Sequence, residues 1–446
     1  MKIIKYILIV LVCLFTVISA EAQNKGGAEG IDNERWNSTP NDINNLLKSL
    51  KKLVDANYTM EIKTIAQVDA NPEKNPIIYY SGHYNYEFAE GDRKMLREYM
   101  LAGGMMVFNT GLGSEPFYRS TKKELNLIFP EIPLQRISSD HPIFHAYYDV
   151  DLVKYSPGVY KTGFVGNEPW MDGVTVNCRL VALVSRFGMA VAWDGGEVHP
   201  QFASYMPDSA VRLGLNILSY ATASRAWAKQ EARKMKFENA EDPGPDAMCL
   251  VQVVYDGEWK TRHAGMSVLL QTFNKKTEVP VRFKVKETKL SDKEIYDAPL
   301  LYIIGHEHFR LKKTEKSMLK KYLENGGFLF AEACCGRKGF DLAIRELMKS
   351  ILPQPMKPIP ASDSIFAMPN EITKVGITSA TAKELGEASI SPKLEGVEIN
   401  GYYAVIYSPL GMAGAWEMSQ NPYAHGYNTQ SALSLGQNIL MYAIIH

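Results

Sequence analysis

The sequence predicts an α/β protein built as two tandem three-layer domains, each with a mainly parallel sheet between helices. Three observations carry this: an internal repeat over most of the chain, apolar runs alternating with amphipathic stretches in each copy, and glycines closing those stretches. The repeat is plainest where NPIIYYSGHYNYEF (75–88) meets APLLYIIGHEHFRL (298–311), with His83 falling on His306 at an offset of 223 positions. The same offset pairs Met95 with Met318, Leu96 with Leu319, Tyr99 with Tyr322, and Gly103-Gly104 with Gly326-Gly327. It also sets Trp36 on Trp259 and GMAVAW (188–193) on GMAGAW (411–416). One deleted residue later, LGLNILSYA (213–221) meets LGQNILMYA (435–443). Self-similarity held over a whole domain is tandem duplication.

The second copy gives the elements in order. CLVQVVY (249–255) is a buried strand and AGMSVLLQTFNKKT (264–277) a helix. VRFKVKET (281–288) alternates as a strand does, and PLLYIIGH (299–306) is an apolar strand. KTEKSMLKKYLENGG (313–327) is an amphipathic helix, with Met318, Leu319, Tyr322 and Leu323 on one face and a glycine stop. FLFAEACC (328–335) is the next strand, and GVEINGYYAVIYS (396–408) runs on as a late strand pair into GMAGAW. QSALSLGQNILMYAII (430–445) closes with a helix. Apolar strands alternating with helices call for a parallel sheet covered on both faces, whose ligand sites form at the C-terminal strand ends. The first copy departs at its start, where KGGAEGIDNERW (25–36) faces MCLVQVVYDGEW (248–259), so its first strand is expected to be weak or rebuilt.

The N-terminus reads as a leader. Lys2 and Lys5 precede an apolar stretch from Tyr6 to Ile18, and Ala20-Glu21-Ala22 offers small residues for cleavage after Ala22. The expectation is a periplasmic or secreted protein with no membrane span after cleavage. The chain then divides into a signal peptide (1–22), a first domain (23–224), a charged linker ending in Pro and Gly (225–247), and a second domain (248–446). A net charge of +0 across 446 residues removes the electrostatic case for nucleic acid or an anionic surface as partner. Beyond the leader stand Cys178, Cys249, Cys334 and Cys335, too few for a disulfide scaffold and read as thiols.

The stretch YIIGHEHFRLKKTEKSMLKKYLENGGFLFAEACCGRKGF (302–340) resembles the DUF4159 family, with its Gly-His turn, its helix ending in Asn-Gly-Gly and its acidic–Cys-Cys-Gly strand end. DHPIFHAYYDV (140–150) and the NIL-x-YA helices are similar to that family too. The resemblance covers nearly the whole chain beyond the leader. It implies a fold similar to class I glutamine amidotransferases, a flavodoxin-like arrangement, and no known activity. In that comparison Ala333-Cys334-Cys335-Gly336 occupies the place of the nucleophile elbow, with Cys334 matching the nucleophile, Cys335 the residue after it, and Ala333 replacing a glycine.

The chemistry then turns on partners. A thiol nucleophile needs a base and an orienting group; His306 and Cys334 are the candidate catalytic pair, and His425 in NPYAHGY is a second candidate base without an adjacent acid. The first copy carries Gly111-Leu112-Gly113 in place of Cys-Cys-Gly, and neither copy completes a triad. A metal reading is the alternative: His306 and His308 face one way on an extended strand end, with Glu332 and Cys334 on the neighbouring strand, a set suited to zinc. Candidate binding residues are His83, His141, His145, His308 and Glu332. Cys178 replaces Gly401 at a strand turn and Cys249 begins a strand, neither in a reactive setting; Trp193 and Trp416 read as core. The reading favoured at this level is a non-catalytic binding or scaffolding protein of the cell envelope, without a cofactor, recognising a small molecule or a protein. Its two unequal copies are expected to pack as a pseudo-dimer. The alternative is a Cys- or metal-dependent hydrolase or amidotransferase-like enzyme with its site in the second domain.

Overall fold

The computed structural model describes residues 13–18, 39–53, 58–231, 247–262, 264–417 and 421–446. It resolves into two compact units, one of Met1–Thr175 with Arg179–Lys229, the other of Val176–Cys178 with Gln230–His446. Each is a mixed α/β unit with its own seven-stranded, mostly parallel sheet.

In the first unit the strands are β1 (Cys13–Ile18), β2 (Tyr58–Lys63), β3 (Ile77–Gly82), β4 (Met105–Thr110), β5 (Gln135–Arg136), β6 (Met171–Val176) and β7 (Arg179–Ser185). Their order is β2-β1-β3-β4-β7-β6-β5. The helices are α1 (Asp42–Leu53), α2 (Glu90–Leu101), α3 (Glu115–Ile128), α4 (Pro157–Tyr160), α5 (Ala190–Trp193) and α6 (Pro207–Glu231).

The second unit repeats this plan. Its strands β8 (Leu250–Val254), β9 (Lys286–Lys289), β10 (Leu300–Gly305), β11 (Phe328–Ala333), β12 (Lys357–Pro358), β15 (Glu395–Ile399) and β16 (Tyr402–Ser408) lie in the order β12-β15-β16-β11-β10-β8-β9, while β13 (Val375–Gly376) pairs with β14 (Ser389–Ile390) apart from the main sheet. Its helices are α7 (Gly265–Thr277), α8 (Lys313–Glu324), α9 (Lys338–Ile351), α10 (Ser379–Leu385), α11 (Ala413–Trp416) and α12 (Thr429–Ile445).

Register makes the duplication explicit. Strand β3 pairs in parallel with β4 from Ile77↔Met105 to Gly82↔Thr110, and β10 with β11 from Leu300↔Phe328 to Gly305↔Ala333, each pair displaced by the repeat offset. Both strands of each pair are buried along almost their whole length, which is why they read as continuous apolar runs rather than alternating ones. Helix α8 seals its end as the sequence expects: Gly326 takes φ 91, and Tyr322 folds over Gly327 so closely that a Cβ there would stand 2.4 Å from the ring. Trp193 and Trp416 are core, each indole donating to a carbonyl of the closing helix, Ala210 O at 2.7 Å and Ala432 O at 2.8 Å.

The rebuilt first strand has a specific form. Residues Cys13–Ile18, inside the segment read as a leader, pair in parallel with β2 and with β3. They hold the sheet position that β8 holds in the second unit. The rest of that segment, 1–12 and 19–22, lies outside the described residues. The linker stretch begins as helix, since α6 runs to Glu231, and 232–246 also lie outside them. No helix among the described residues is long and apolar enough to cross a membrane.

Candidate metal centre

The strand ends of the second unit assemble its site. Because Gly305 and Ala333 are paired at the ends of β10 and β11, the next residues, His306 and Cys334, leave the sheet side by side. Strand β8 lies beside β10 on the other flank, and the segment after it delivers Glu258. The Oε2 of that glutamate is 2.9 Å from His306 Nδ1, both side chains being largely buried. With Nδ1 engaged by the carboxylate, Nε2 is the ring nitrogen left to face the sulfurs.

The turn after β11 is tight. Cys334–Gly336 form a single 3₁₀ turn in which Cys335 takes φ 57, ψ 17, and helix α9 starts two residues later. Gly336 also has positive φ (67), and a Cβ there would stand 2.6 Å from His425 Cβ, so only glycine fits. In the first unit Leu112 repeats the same kink at φ 52. The sharp strand-to-helix elbow therefore presents Cys335, not Cys334, in the left-handed conformation.

A third cysteine joins these two. Strands β6 and β7 are linked by Asn177 and Cys178, both left-handed, at φ 49 and 61. The second copy makes the equivalent turn with Asn400 and Gly401, at φ 55 and 87. Asn-Gly suits such a turn because glycine accepts the conformation without strain; Cys178 does not. Its buried Sγ lies 3.0 Å from Cys334 Sγ and 3.6 Å from the Thr261 carbonyl oxygen. Cys334 Sγ is in turn 3.9 Å from Cys335 Sγ. One ligand atom each from Cys178, His306, Cys334 and Cys335 all fall within 4.8 Å of one another.

Other polar groups surround the cluster. Arg262 and Asn421 lie on the Cys335 side, Arg262 Nη2 at 3.8 Å and Asn421 Nδ2 at 3.6 Å from its sulfur. Arg262 is buried with Glu417 at 3.3 Å, and Glu417 Oε1 accepts from the amides of Ala264 and Gly265 at the start of α7. Burial pushes the Cys178 and Cys334 thiols up. Hydrogen bonds from Cys178 and Cys334 hold the Cys335 thiol well below its ordinary range, with His306 and Arg262 adding to the effect. Burial alone would lower His306, but the charge of Cys334 and bonds to Cys334, Cys335 and Glu258 outweigh it and hold the ring well above its ordinary value.

The expected site residues divide accordingly. His306 and Cys334 meet as the sequence implies. His308 does not join them: its Nε2 is 3.1 Å from Glu346 on the half-exposed face of α9. Glu332 is fully buried, but its Oε1 accepts from the Met412 and Ala413 amides at 2.6 and 2.8 Å, and its Oε2 from Tyr302 at 3.0 Å. It holds the start of α11 and offers nothing to the sulfurs. The first copy does the same with Asn109, whose Oδ1 accepts from Met189 N. Burial raises the Glu332 carboxyl to about 7.

The remaining histidines have separate local contacts. His425 turns its ring to Glu384 at 2.9 Å, while its amide donates to the Cys335 carbonyl. In the first unit His83 Nδ1 faces the Gly111 carbonyl oxygen at 3.1 Å, and burial lowers its pKa. His141 Nδ1 accepts from Ile143 N, capping a 3₁₀ turn. His145 spans Asp149 and the Ser139 carbonyl. The His141 and His145 bonds are local to their own turn, while that of His83 reaches across to the turn after β4. The residues that sequence reasoning passed over are Cys178, Cys335 as the elbow, Glu258 and Arg262.

The donor set fits a metal by its chemistry. Three thiols and one imidazole, mutually close and mostly buried, form the Cys₃His complement of tetrahedral zinc, and the carboxylate on the far ring nitrogen is the outer partner such histidines use.

Comparison with known proteins adds family and little else. The family model described as Domain of unknown function (DUF4159) matches residues 25–222 and again 249–444. No curated protein matches the chain. Among solved structures the chain is similar to a ThuA-like protein from Bacteroides uniformis, at 12% identity over 46% of this chain and 95% of that one. The TM-score is 0.22, a likeness too slight to carry an argument.

Proposed function

The chain belongs to the DUF4159 family through both of its halves, and on that premise we propose that it is an exported, non-catalytic binding protein whose second unit carries a closed zinc-class metal centre. Cys178, Cys334, Cys335 and His306 are its ligands and Glu258 orients the histidine. The observation that carries the reading is the convergence of four N and S donor atoms within 4.8 Å. Four protein ligands fill a tetrahedral shell and leave no position for a substrate, which is the mark of a structural rather than a catalytic site. Export draws on Lys2 and Lys5 ahead of the apolar run and on the Ala20-Glu21-Ala22 site, and cleavage there would take β1 out of its place between β2 and β3. The test is elemental analysis of reduced, full-length protein after loading with Zn²⁺ and dialysis. One zinc per chain is expected, falling toward zero in Cys334→Ser and His306→Ala and unchanged in Cys249→Ser. Zinc at background level in the wild-type chain would refute the reading.

A second reading draws on the left-handed turn at Cys335 and on the Glu258–His306 pair, which together resemble an activated thiol nucleophile. It predicts that a small alkylating agent modifies Cys335 selectively and equally fast with and without zinc. Protection of Cys335 by zinc supports the metal centre instead.

A further inference from the structure

The four ligands are not equivalent, and their inequality defines a modification site. Cys178 Sγ and Cys334 Sγ stand 3.0 Å apart, so a disulfide needs only about 1 Å of further approach. Both are buried, and they are 156 positions apart in the chain, so no local ring strain opposes the bond. The other close pair, Cys334 and Cys335, is adjacent in sequence, 3.9 Å apart, and can close only a strained vicinal ring. Cys335 alone of the three is partly exposed.

We propose that Cys178 and Cys334 form a redox pair whose disulfide empties the metal centre; the metal part of this rests on the reading above. The oxidant is a low-molecular-weight disulfide, RSSR. The thiolate of Cys335, the residue of the three that is partly exposed, attacks one sulfur of RSSR and expels RS⁻, leaving a mixed disulfide. Cys334 thiolate attacks Cys335 Sγ and expels the second RS⁻. The strained vicinal bond is then attacked at Cys334 by Cys178 thiolate, which returns Cys335 as thiolate. In sum two thiolates lose two electrons to form one S–S bond, and RSSR gains them as two RS⁻. Two of the four ligands are consumed, and His306 with Cys335 alone no longer encloses a divalent ion, so one metal ion leaves for each bond formed.

The left-handed backbone at Cys178 supports this assignment. The second copy makes the same turn with glycine at no steric cost, so the cysteine carries a local penalty that its counterpart does not.

The experiment uses full-length, reduced, zinc-loaded protein titrated with oxidised glutathione. Released zinc is read with a chromogenic chelator, and disulfides by peptide mass mapping without reduction. The expected result is one zinc released per Cys178–Cys334 crosslink, with both reversed by dithiothreitol. Cys178→Ser is expected to give no crosslink to Cys334. Cys335→Ser is expected to form the 178–334 bond more slowly, having lost the accessible thiolate. A chain that loads zinc but ends glutathionylated at Cys335, or crosslinked through any other pair, overturns the redox pair and leaves the metal reading standing. A chain that forms the 178–334 bond but never loads zinc overturns the metal reading and with it the coupling.

Discussion

Replacing Cys178 with glycine separates a ligand from a packing residue, because only the first role makes the effect depend on metal. The native residue sits at φ 61, where a non-glycine side chain costs about 1–2 kcal/mol. Glycine removes that strain but returns roughly 0.5–1 kcal/mol of entropy to the unfolded chain. The buried thiol it deletes is small, about 1 kcal/mol of transfer energy. These terms nearly cancel, so with a chelator present Cys178→Gly is expected to lie within about 1 kcal/mol of wild type. With zinc buffered well above its dissociation constant the balance changes. Even an outer-shell partner is worth about 10–100-fold in metal affinity, so loss of a direct ligand removes at least about 1.4–2.7 kcal/mol of linked stability. Urea unfolding in EDTA and in buffered zinc reads both numbers. Equal destabilisation in the two conditions, or none in either, would show that Cys178 is not a ligand.

Three other outcomes follow from the same geometry. Glu332→Ala leaves the amides of Met412 and Ala413 and the Tyr302 hydroxyl without their acceptor, and is expected to cost about 3 kcal/mol or more by urea unfolding, whereas Glu332→Gln keeps an acceptor and stays within about 1 kcal/mol. Glu258→Gln is expected to weaken zinc binding by about 10–100-fold in a competition titration while one equivalent still binds at saturation. In the first unit burial raises the Asp42 carboxyl to about 6, Asp194 adding to it while the Ile43 amide, Thr39 and Tyr79 oppose it. The folded state holds that proton more tightly than the unfolded one, so the stabilisation is complete below pH 4 and is lost as pH rises through 6, about 3 kcal/mol in all. Asp42→Asn is expected to flatten that part of the stability–pH profile, and an unchanged slope would refute the assignment.

The parallel strands of each unit were legible because β3, β4, β10 and β11 are buried on both faces, which writes an unbroken apolar run; their order in the sheet was not. The meeting of His306 with Cys334 was legible for a related reason: each follows the last residue of a strand, and the two strands are neighbours in register. Glu258 follows β8 in the same way, and attention to adjacent strand ends rather than to the H-x-H spacing would have found it. That spacing misled, since His308 is carried off to Glu346. Glu332 misled because a buried carboxylate near a cysteine looks like a ligand, although Asn109 in the first copy already marks the position as a clamp on the following turn. Cys178 is far away along the chain, and no local pattern joins it to Cys334. Its one signal was a cysteine where the repeat writes Asn-Gly, a conformational anomaly set aside as a simple replacement.

The compact unit that holds the cluster takes three residues, Val176–Cys178, from the first half of the sequence. A polypeptide of the second half alone, however well it folded, would retain three donor residues of the four. Expressed separately, neither half carries all four donor residues.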